Sequence, residues 1–345
     1  MNPTIFMILM SSLATGTIIT MSSHHWLMAW IGLEMNTMAI IPIISSTHNP
    51  RSTEAATKYF LTQAAASATI LFSSMNNAWE TGTWDITNLT STPSCIMLTM
   101  ALAMKLGLAP MHFWLPEVLQ GSTLLTALII TTWQKLAPMT LIYLTINNLH
   151  APLLILMGLA SSIIGGWGGL NQTQTRKIMA YSSIAHLGWM IAISSLMTNI
   201  MTTALLIYIM MTTAVFCLLI SSKSKTIQDT TTTWMLSPML ATMMMVLLLS
   251  LGGLPPLTGF LPKWLILEEL TTQNLMLTAL VMMMATLLSL FFYLRIMYTT
   301  TLTLSPNTTQ TKFKWRFKLN FPTFLIMTTT TTSIFFLPMT PLILL

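Results

Sequence analysis

The sequence predicts an all-α fold, a polytopic bundle of about eleven transmembrane spans with discontinuous helices. Three observations carry this. Of the 345 residues only 6% are charged and 54% are apolar, and the mean hydropathy is +0.72; a soluble chain of this length needs a charged surface. Long runs nearly free of charge recur, each able to cross a hydrocarbon core of roughly 30 Å. No run alternates as a membrane β-strand does, and in lipid every backbone polar group has to be satisfied within its own segment or against protein. The chain reads as a single transmembrane domain over 1–345, with no soluble domain. Met1–Met10 already begins the first span, so no cleavable signal is expected.

The first span is expected at Pro3–Met21 and the second at His25–Ile44. The third covers Ser52–Met75 and the fourth Ser94–Leu108. The stretch Leu108–Gly121 that follows contains Phe113, Trp114 and Pro116 and reads as a short interfacial connector. The fifth span is Thr123–Tyr143, the most regular of the set, and the sixth Pro152–Leu170. The seventh is Lys177–Leu196 and the eighth Thr202–Ile220. The ninth, Pro238–Leu270, is too long for one straight crossing. Its Gly252-Gly253 and Pro255-Pro256 pairs predict an unwound middle near Gly252–Gly259. Such breaks are tolerated at membrane depth where they are buried in protein or line a wet cavity. The tenth span is Leu275–Tyr298 and the eleventh Phe321–Leu337.

The loops test the count. With eleven spans, one side of the membrane receives Arg51, Arg176, Lys177, Lys223, Lys225, Lys312, Lys314, Arg316 and Lys318. The opposite side receives His24, His25, Glu80 and Asp85 and no Lys or Arg. This is the positive-inside pattern, and it puts the two termini on opposite sides. The net charge of +6 therefore sets orientation and does not point to nucleic acid.

The chain is organised around Met104–Glu117 and the helix after it, because Lys105 and Lys135 lie deep in apolar runs. A lysine at the bilayer centre costs about 2.5–3.5 kcal/mol on insertion scales, and an ionisable group there marks an ion or proton pathway by default. Glu34, in the middle of the second span, offsets a lysine's burial if the two come within reach, directly or through water. Pro138 removes the backbone donor that would bond the Gln134 carbonyl and leaves a polar notch beside Lys135. Lys263 follows the break in the ninth span and is expected to face protein or water. His186, in the middle of the seventh, titrates near neutrality by nature; a lone membrane histidine also simply bonds across helices. Glu54, Lys58 and Arg295 lie near span ends, where a long side chain reaches the headgroups, and Glu117 reads as a solvated connector residue.

Other chemistries find no residues. Cys95 and Cys217 are two lone thiols, and an iron–sulfur cluster needs four ligands. No His, Asp and Glu cluster stands at metal-ligand spacing. Gly165-Gly166-Trp167-Gly168-Gly169 lacks the strand and the Lys-Ser/Thr of a phosphate loop and suits close helix packing instead. No Ser–His–Asp arrangement is legible.

Gly168–His186, which reads GGLNQTQTRKIMAYSSIAH, resembles the signature of the antiporter-like subunits of respiratory complex I. Asn49–Phe60, Lys105–Gly121 and Leu251–Trp264 narrow the match to animal mitochondrial members along nearly the whole chain. Richness in Met and Thr suits mitochondrial coding. The resemblance implies an antiporter-like fold and a proton-pumping subunit of NADH:ubiquinone oxidoreductase in the inner mitochondrial membrane, N-terminus in the matrix and C-terminus in the intermembrane space. It implies a path over Glu34, Lys105, Lys135 and Lys263. Its partners would be the other membrane-arm subunits of a hetero-oligomeric complex and lipids such as cardiolipin. NADH, FMN, iron–sulfur clusters and ubiquinone would belong to partner subunits, with none bound by this chain. Bacterial relatives carry three further N-terminal helices. Three rival readings remain: a free-standing cation/proton antiporter, a quinone-site subunit and a structural spacer of the arm.

Overall fold

The computed structural model describes residues 2–301 and 323–339. In chain order the helices are α1 (Pro3–Ser22), α2 (Trp26–Ile44), α3 (Pro50–Thr81), α4 (Thr92–Leu106), α5 (Trp114–Gly121), α6 (Leu124–Thr131), α7 (Leu136–Thr145) and α8 (Ala151–Gly169). There follow α9 (Thr175–Ser194), α10 (Thr198–Ser222), α11 (Ile227–Thr231), α12 (Thr233–Leu236), α13 (Pro238–Gly252), α14 (Phe260–Thr272), α15 (Met276–Thr301) and α16 (Thr323–Phe335). Among the described residues strand pairing is limited to the isolated bridges His25–Asp85 and Gln174–Thr226. Among the described residues five helices are long and apolar enough to cross a membrane uninterrupted: α1, α2 with the 3₁₀ turn after it, α8, α10 and α15. The expected basic loop at Lys312, Lys314, Arg316 and Lys318 lies outside the described residues.

The chain forms two compact units, one of Met1–Ser161 with Ile191–Thr198, the other of Ser162–Met190 with Asn199–Leu345. In the first, α1 packs on α2, α2 on α3, and α3 on both α4 and α5, while α7 packs on α1 and α4. α1 and α2 meet at Gly16 and Gly32: a Cβ on Gly16 would stand 2.9 Å from the Gly32 carbonyl oxygen. The extended segment after α3 is tied down by amides. Asn77 Nδ2 donates to Asn88 O at 2.6 Å and Asn148 Nδ2 to Thr87 O at 2.5 Å.

In the second unit α13 packs on α15 and α16, and α14 on α15. The glycine run ending α8 serves close packing: a Cβ on Gly165 would lie 2.6 Å from the backbone nitrogen of Ala185 in α9. Arg295 does more than reach for headgroups. Its Nη1 donates to Leu170 O at 2.9 Å, so the guanidinium satisfies a carbonyl released just beyond the end of α8. The loops after α8 and α10 are stitched by Thr175 N–H to Lys225 O at 3.1 Å and Ile227 N–H to Thr173 O at 3.0 Å.

Two breaks share one pattern. α4 ends on Gly107 (φ 77°, ψ 41°) and α13 on Gly253 (φ 76°, ψ 40°), a left-handed conformation suited to glycine. The sequences around them align, Gly107-Leu108-Ala109-Pro110 with Gly253-Leu254-Pro255-Pro256 and Leu115-Pro116-Glu117 with Leu261-Pro262-Lys263. The ninth span thus appears as two helices, α13 and α14, flanking a non-helical 253–259. The fifth span departs from the regular helix expected. α6 stops at Thr131, Thr132 takes φ −112° and ψ −69°, and Trp133–Lys135 forms a 3₁₀ turn before α7 resumes. Pro138 is the cause: without its N–H the Gln134 carbonyl has no α-helical donor, and the turn tightens there.

Two outcomes follow from this packing. Gly165→Val places methyls against the α9 backbone, which cannot swing aside, and is expected to destabilise the subunit by about 1–3 kcal/mol; a lower yield and melting temperature of assembled protein would register it. The Asp229 carboxylate accepts from Thr226 N–H at 2.8 Å and Lys225 N–H at 3.0 Å. Burial pushes its pKa up, but these bonds, the Thr226 hydroxyl and the Lys225 charge outweigh that and hold it below the usual carboxylate range. A carboxyl depressed by folding stabilises above its unfolded value of about 3.9, and the contribution fades as pH falls through the folded value. Backbone exchange at Lys225 and Thr226, corrected for intrinsic rate, should be protected at pH 7 and lose protection below about pH 3.9. Asp229→Asn should lack most of that pH dependence.

Candidate functional site

The first unit contains a cavity whose walls come from α2, α3, the end of α4, α5 and the broken fifth span. Lys105 and Lys135 both line it, with 6% and 2% of their surface exposed. Lys105 arrives in the last turn of α4, two residues before Gly107 ends the helix. Lys135 closes the 3₁₀ turn, so the irregularity forced by Pro138 sets the direction of its stem. α5 covers the cavity with Trp114 and Leu115, and Trp114 Nε1 donates to Met104 O at 3.0 Å, a carbonyl that also accepts from Gly107 N–H at 3.2 Å at the end of α4.

Glu34 is half-buried on α2, and its Oε2 accepts from Thr37 Oγ1 at 3.1 Å. The Lys105 Nζ makes no hydrogen bond among the described residues, so Glu34 and Lys105 share no direct bond there. A buried donor without a partner costs roughly 1–3 kcal/mol, more when charged. Such an atom is kept in a membrane protein only where something else repays it.

A second ionic feature was legible in its parts and missed as a whole. Lys58 Nζ lies 2.5 Å from Glu54 Oε1 and 2.7 Å from Glu117 Oε2. Glu117 is therefore not simply solvated, nor do Glu54 and Lys58 merely reach for headgroups. The Lys58 ammonium, held by Glu54 of its own helix, ties α5 to α3 through Glu117, beside Tyr59 and Trp114, whose rings meet edge-on at 5.7 Å. Glu54 and Glu117 are exposed and Lys58 is partly exposed; such pairs are screened and add little stability, so the contribution is to position α5. The sequence signal was the i, i+4 spacing of Glu54 and Lys58; the third member needs the fold.

In the second unit Lys263 turns back into the break. Its Nζ donates to Gly252 O at 2.7 Å, and its stem crosses Gly253 so closely that a Cβ there would lie 2.6 Å from Nζ. His186 on α9 sits in an aromatic setting: Tyr293 Oη is 3.4 Å from its Nε2, and the Tyr208 ring centroid is 5.6 Å away. Both tyrosines are 1% exposed. Among the described residues no three His, Cys, Asp or Glu side chains gather as metal ligands, and Cys95 and Cys217 are free thiols.

Comparison with known proteins agrees with this architecture. The family model described as NADH:quinone oxidoreductase/Mrp antiporter, TM, matches residues 23–289, and that for NADH dehydrogenase subunit 2 C-terminus matches 290–344. NADH-ubiquinone oxidoreductase chain 2 of Varanus timorensis is 58% identical over 342 residues, covering 99% of both chains. The protein of the same description from Xenopus laevis is 53% identical over 342 residues, again 99% of each. Among solved structures, a chain of respiratory complex I from Thermus thermophilus with bound aureothin shares the fold at TM-score 0.87 and 24% identity, over 100% of this chain and 80% of that one. A chain of the Mrp complex from Dietzia sp. DQ12-45-1b does so at TM-score 0.77 and 17% identity, over 87% and 61%.

Gly253→Ala tests the geometry around Lys263. The added methyl meets a flexible stem, so Lys263 has to leave the Gly252 carbonyl, and the left-handed backbone adds about 1–2 kcal/mol of strain. A structure of the variant should show the Lys263–Gly252 bond broken. Its retention at wild-type length would count against the packing described.

Proposed function

The chain belongs to the NADH dehydrogenase subunit 2 family, within the NADH:quinone oxidoreductase/Mrp antiporter proteins, and from that membership we propose how it moves protons. It is a proton-translocating membrane-arm subunit of NADH:ubiquinone oxidoreductase and an integral membrane protein of the respiratory chain. In our reading the first unit carries the proton over Glu34, Lys105 and Lys135, and the second over Lys263, with His186 as a further group. The chain binds no redox cofactor itself. NADH, FMN, iron–sulfur and ubiquinone chemistry in other subunits of the complex drives it. The membrane is the mitochondrial inner membrane, crossed about eleven times, N-terminus in the matrix and C-terminus in the intermembrane space, with cardiolipin among its lipids.

The observation that supports this reading most is one small cavity holding two lysines, each at a break in its helix. A relay group has to exist with and without its proton. An amine does this where desolvation and a neighbouring cation work against its charge, and where a released carbonyl or a water can take up the hydrogen bond. Glu34 supplies the opposing bias: with its carboxylate charged the Lys105 ammonium is favoured, and withdrawal of that field releases the proton onward. Moving one charge through the membrane field takes about 2.3 kcal/mol per 100 mV, an amount within reach of switching such pairings.

Lys135→Met keeps the packing of the stem and removes a buried charge, so assembly should persist. Proton translocation should fall, with NADH oxidation slowed in tightly coupled membranes. Lys135→Arg should fail as well, because a guanidinium hardly releases its proton. Proton translocation and NADH oxidation in membranes matched for complex content decide this. Wild-type values for both variants would remove Lys135 from the path and favour the spacer reading. Cation-driven transport by the isolated, reconstituted chain would favour the free-standing antiporter.

A further inference from the structure

α5 lies on α3 along one stripe. Trp114, Glu117 and Gly121 are three and four residues apart, so they share a face of α5, and they meet α3 in reverse chain order. The Trp114 ring meets that of Tyr59. Glu117 Oε2 lies 2.7 Å from Lys58 Nζ. A Cβ on Gly121 would stand 2.6 Å from Ala55 Cβ and 2.5 Å from the Arg51 carbonyl oxygen. The end contacts are close packing. The middle one is ionic, and Glu117 is the one charged residue in the sequence of α5.

The two edges of this stripe face different surroundings. Lys58 and Glu117 reach outward, whereas Tyr59, next in the chain to Lys58, and Trp114, one turn before Glu117, line the cavity with Lys105 and Lys135. An outer ion pair and a cavity wall are thus set by the same register of α5 on α3. Apolar packing is non-directional, so the ring contact and the glycine contact tolerate a slide of one residue, about 1.5 Å. An ion pair at hydrogen-bond length does not. Ion pairs flanking an apolar seam set the orientation of helices in coiled coils, although each adds little stability. Glu54, one turn before Lys58 and 2.5 Å from its Nζ, keeps the ammonium aimed.

We propose that Lys58 and Glu117 are positioning residues of the proton path: their ion pair pins the register of α5 on α3, and through it the wall that Trp114 and Leu115 make over Lys105 and Lys135. Neither residue carries the proton. The pair acts from outside the cavity, through the helix that covers it. The second unit is built without this pin. At the position aligned with Glu117, α14 has Lys263, which turns inward to Gly252 O. The effect on pumping rests on the path proposed above; the pinning of α5 does not.

The test uses the assembled complex and reads backbone hydrogen exchange in α5 beside protons moved per NADH oxidised. Lys58→Glu and Glu117→Lys each bring like charges together. Combined, they restore one cation between two carboxylates. Each single variant should speed exchange in α5 by about fivefold, the range an exposed pair commands, leave α14 unchanged and lower the proton yield. The double variant should return both readouts toward wild type, which a loss of packing alone would not allow. Wild-type exchange in both single variants, or a swap that rescues neither readout, overturns the proposal. So does faster exchange with an unchanged proton yield, because α5 would then be pinned to no purpose in pumping. Lys135→Met is the reference: if it is impaired while both single variants are wild type, the pin falls and the path stands; if it is itself wild type, the path falls and the assignment with it. Should the variants fail to assemble, salt decides on the wild-type complex. Raising it from 0.1 to 1 M shortens the screening length from about 10 to about 3 Å and should speed exchange in α5 but not in α14. Equal exchange in α5 at both salts overturns the proposal.

Discussion

A helix broken inside a membrane exposes carbonyl and N–H groups where no bulk water can bond them, and the organisation of both units follows from closing those breaks. In the first unit the opened end of α4 is met by the indole of Trp114, which brings α5 down over the cavity. In the second, the opened end of α13 is met by the ammonium of Lys263. At the fifth span the break is absorbed by a 3₁₀ turn that carries Lys135 inward. Each lysine of the proposed path stands within a few residues of such a break. An ionisable group in lipid needs the same thing a freed carbonyl does, a polar partner, and placing them together satisfies both needs at one site.

Much of this was legible in the sequence. Charge poverty and long apolar runs gave the fold class, and the Gly-Gly and Pro-Pro pairs announced the break between α13 and α14. The depth of Glu34, Lys105, Lys135 and Lys263 singled them out because each is expensive where it lies. What escaped was whatever depends on two segments meeting. Pro138 was recognised as loosening the backbone, yet the fifth span was still read as regular. A proline's effect on the residue three or four before it becomes a turn only when tertiary packing selects that turn. The ion network of Glu54, Lys58 and Glu117 needs α5 folded against α3. The recurrence of Gly-Leu-x-Pro and Leu-Pro-Glu or Leu-Pro-Lys was present in the letters and becomes visible once Gly107 and Gly253 show nearly equal backbone angles.

The two breaks are closed differently although their sequences align. At the position where the first unit has Glu117, paired outward with Lys58, the second has Lys263, turned inward. In the first unit a neutral indole shares the Met104 carbonyl with Gly107 N–H, and the Lys105 amine makes no hydrogen bond among the described residues. A group with no fixed partner can exchange its proton with a mobile one, which suits a station in the middle of a path.

The second unit has the opposite economy. The donor that closes the α13 terminus is itself a group that gains and loses a proton in the proposed path. An ammonium makes a stronger, charge-assisted bond to the Gly252 carbonyl than a neutral amine does. Each change in the charge of Lys263 must then alter the hold on the end of α13, and by reciprocity any movement of that end must alter the lysine's affinity for a proton. Through this bond the main chain at Gly252 and Gly253 becomes a mechanical gauge of occupancy. A subunit driven from elsewhere needs such a part, one through which displacement of a helix and transfer of a proton are the same event.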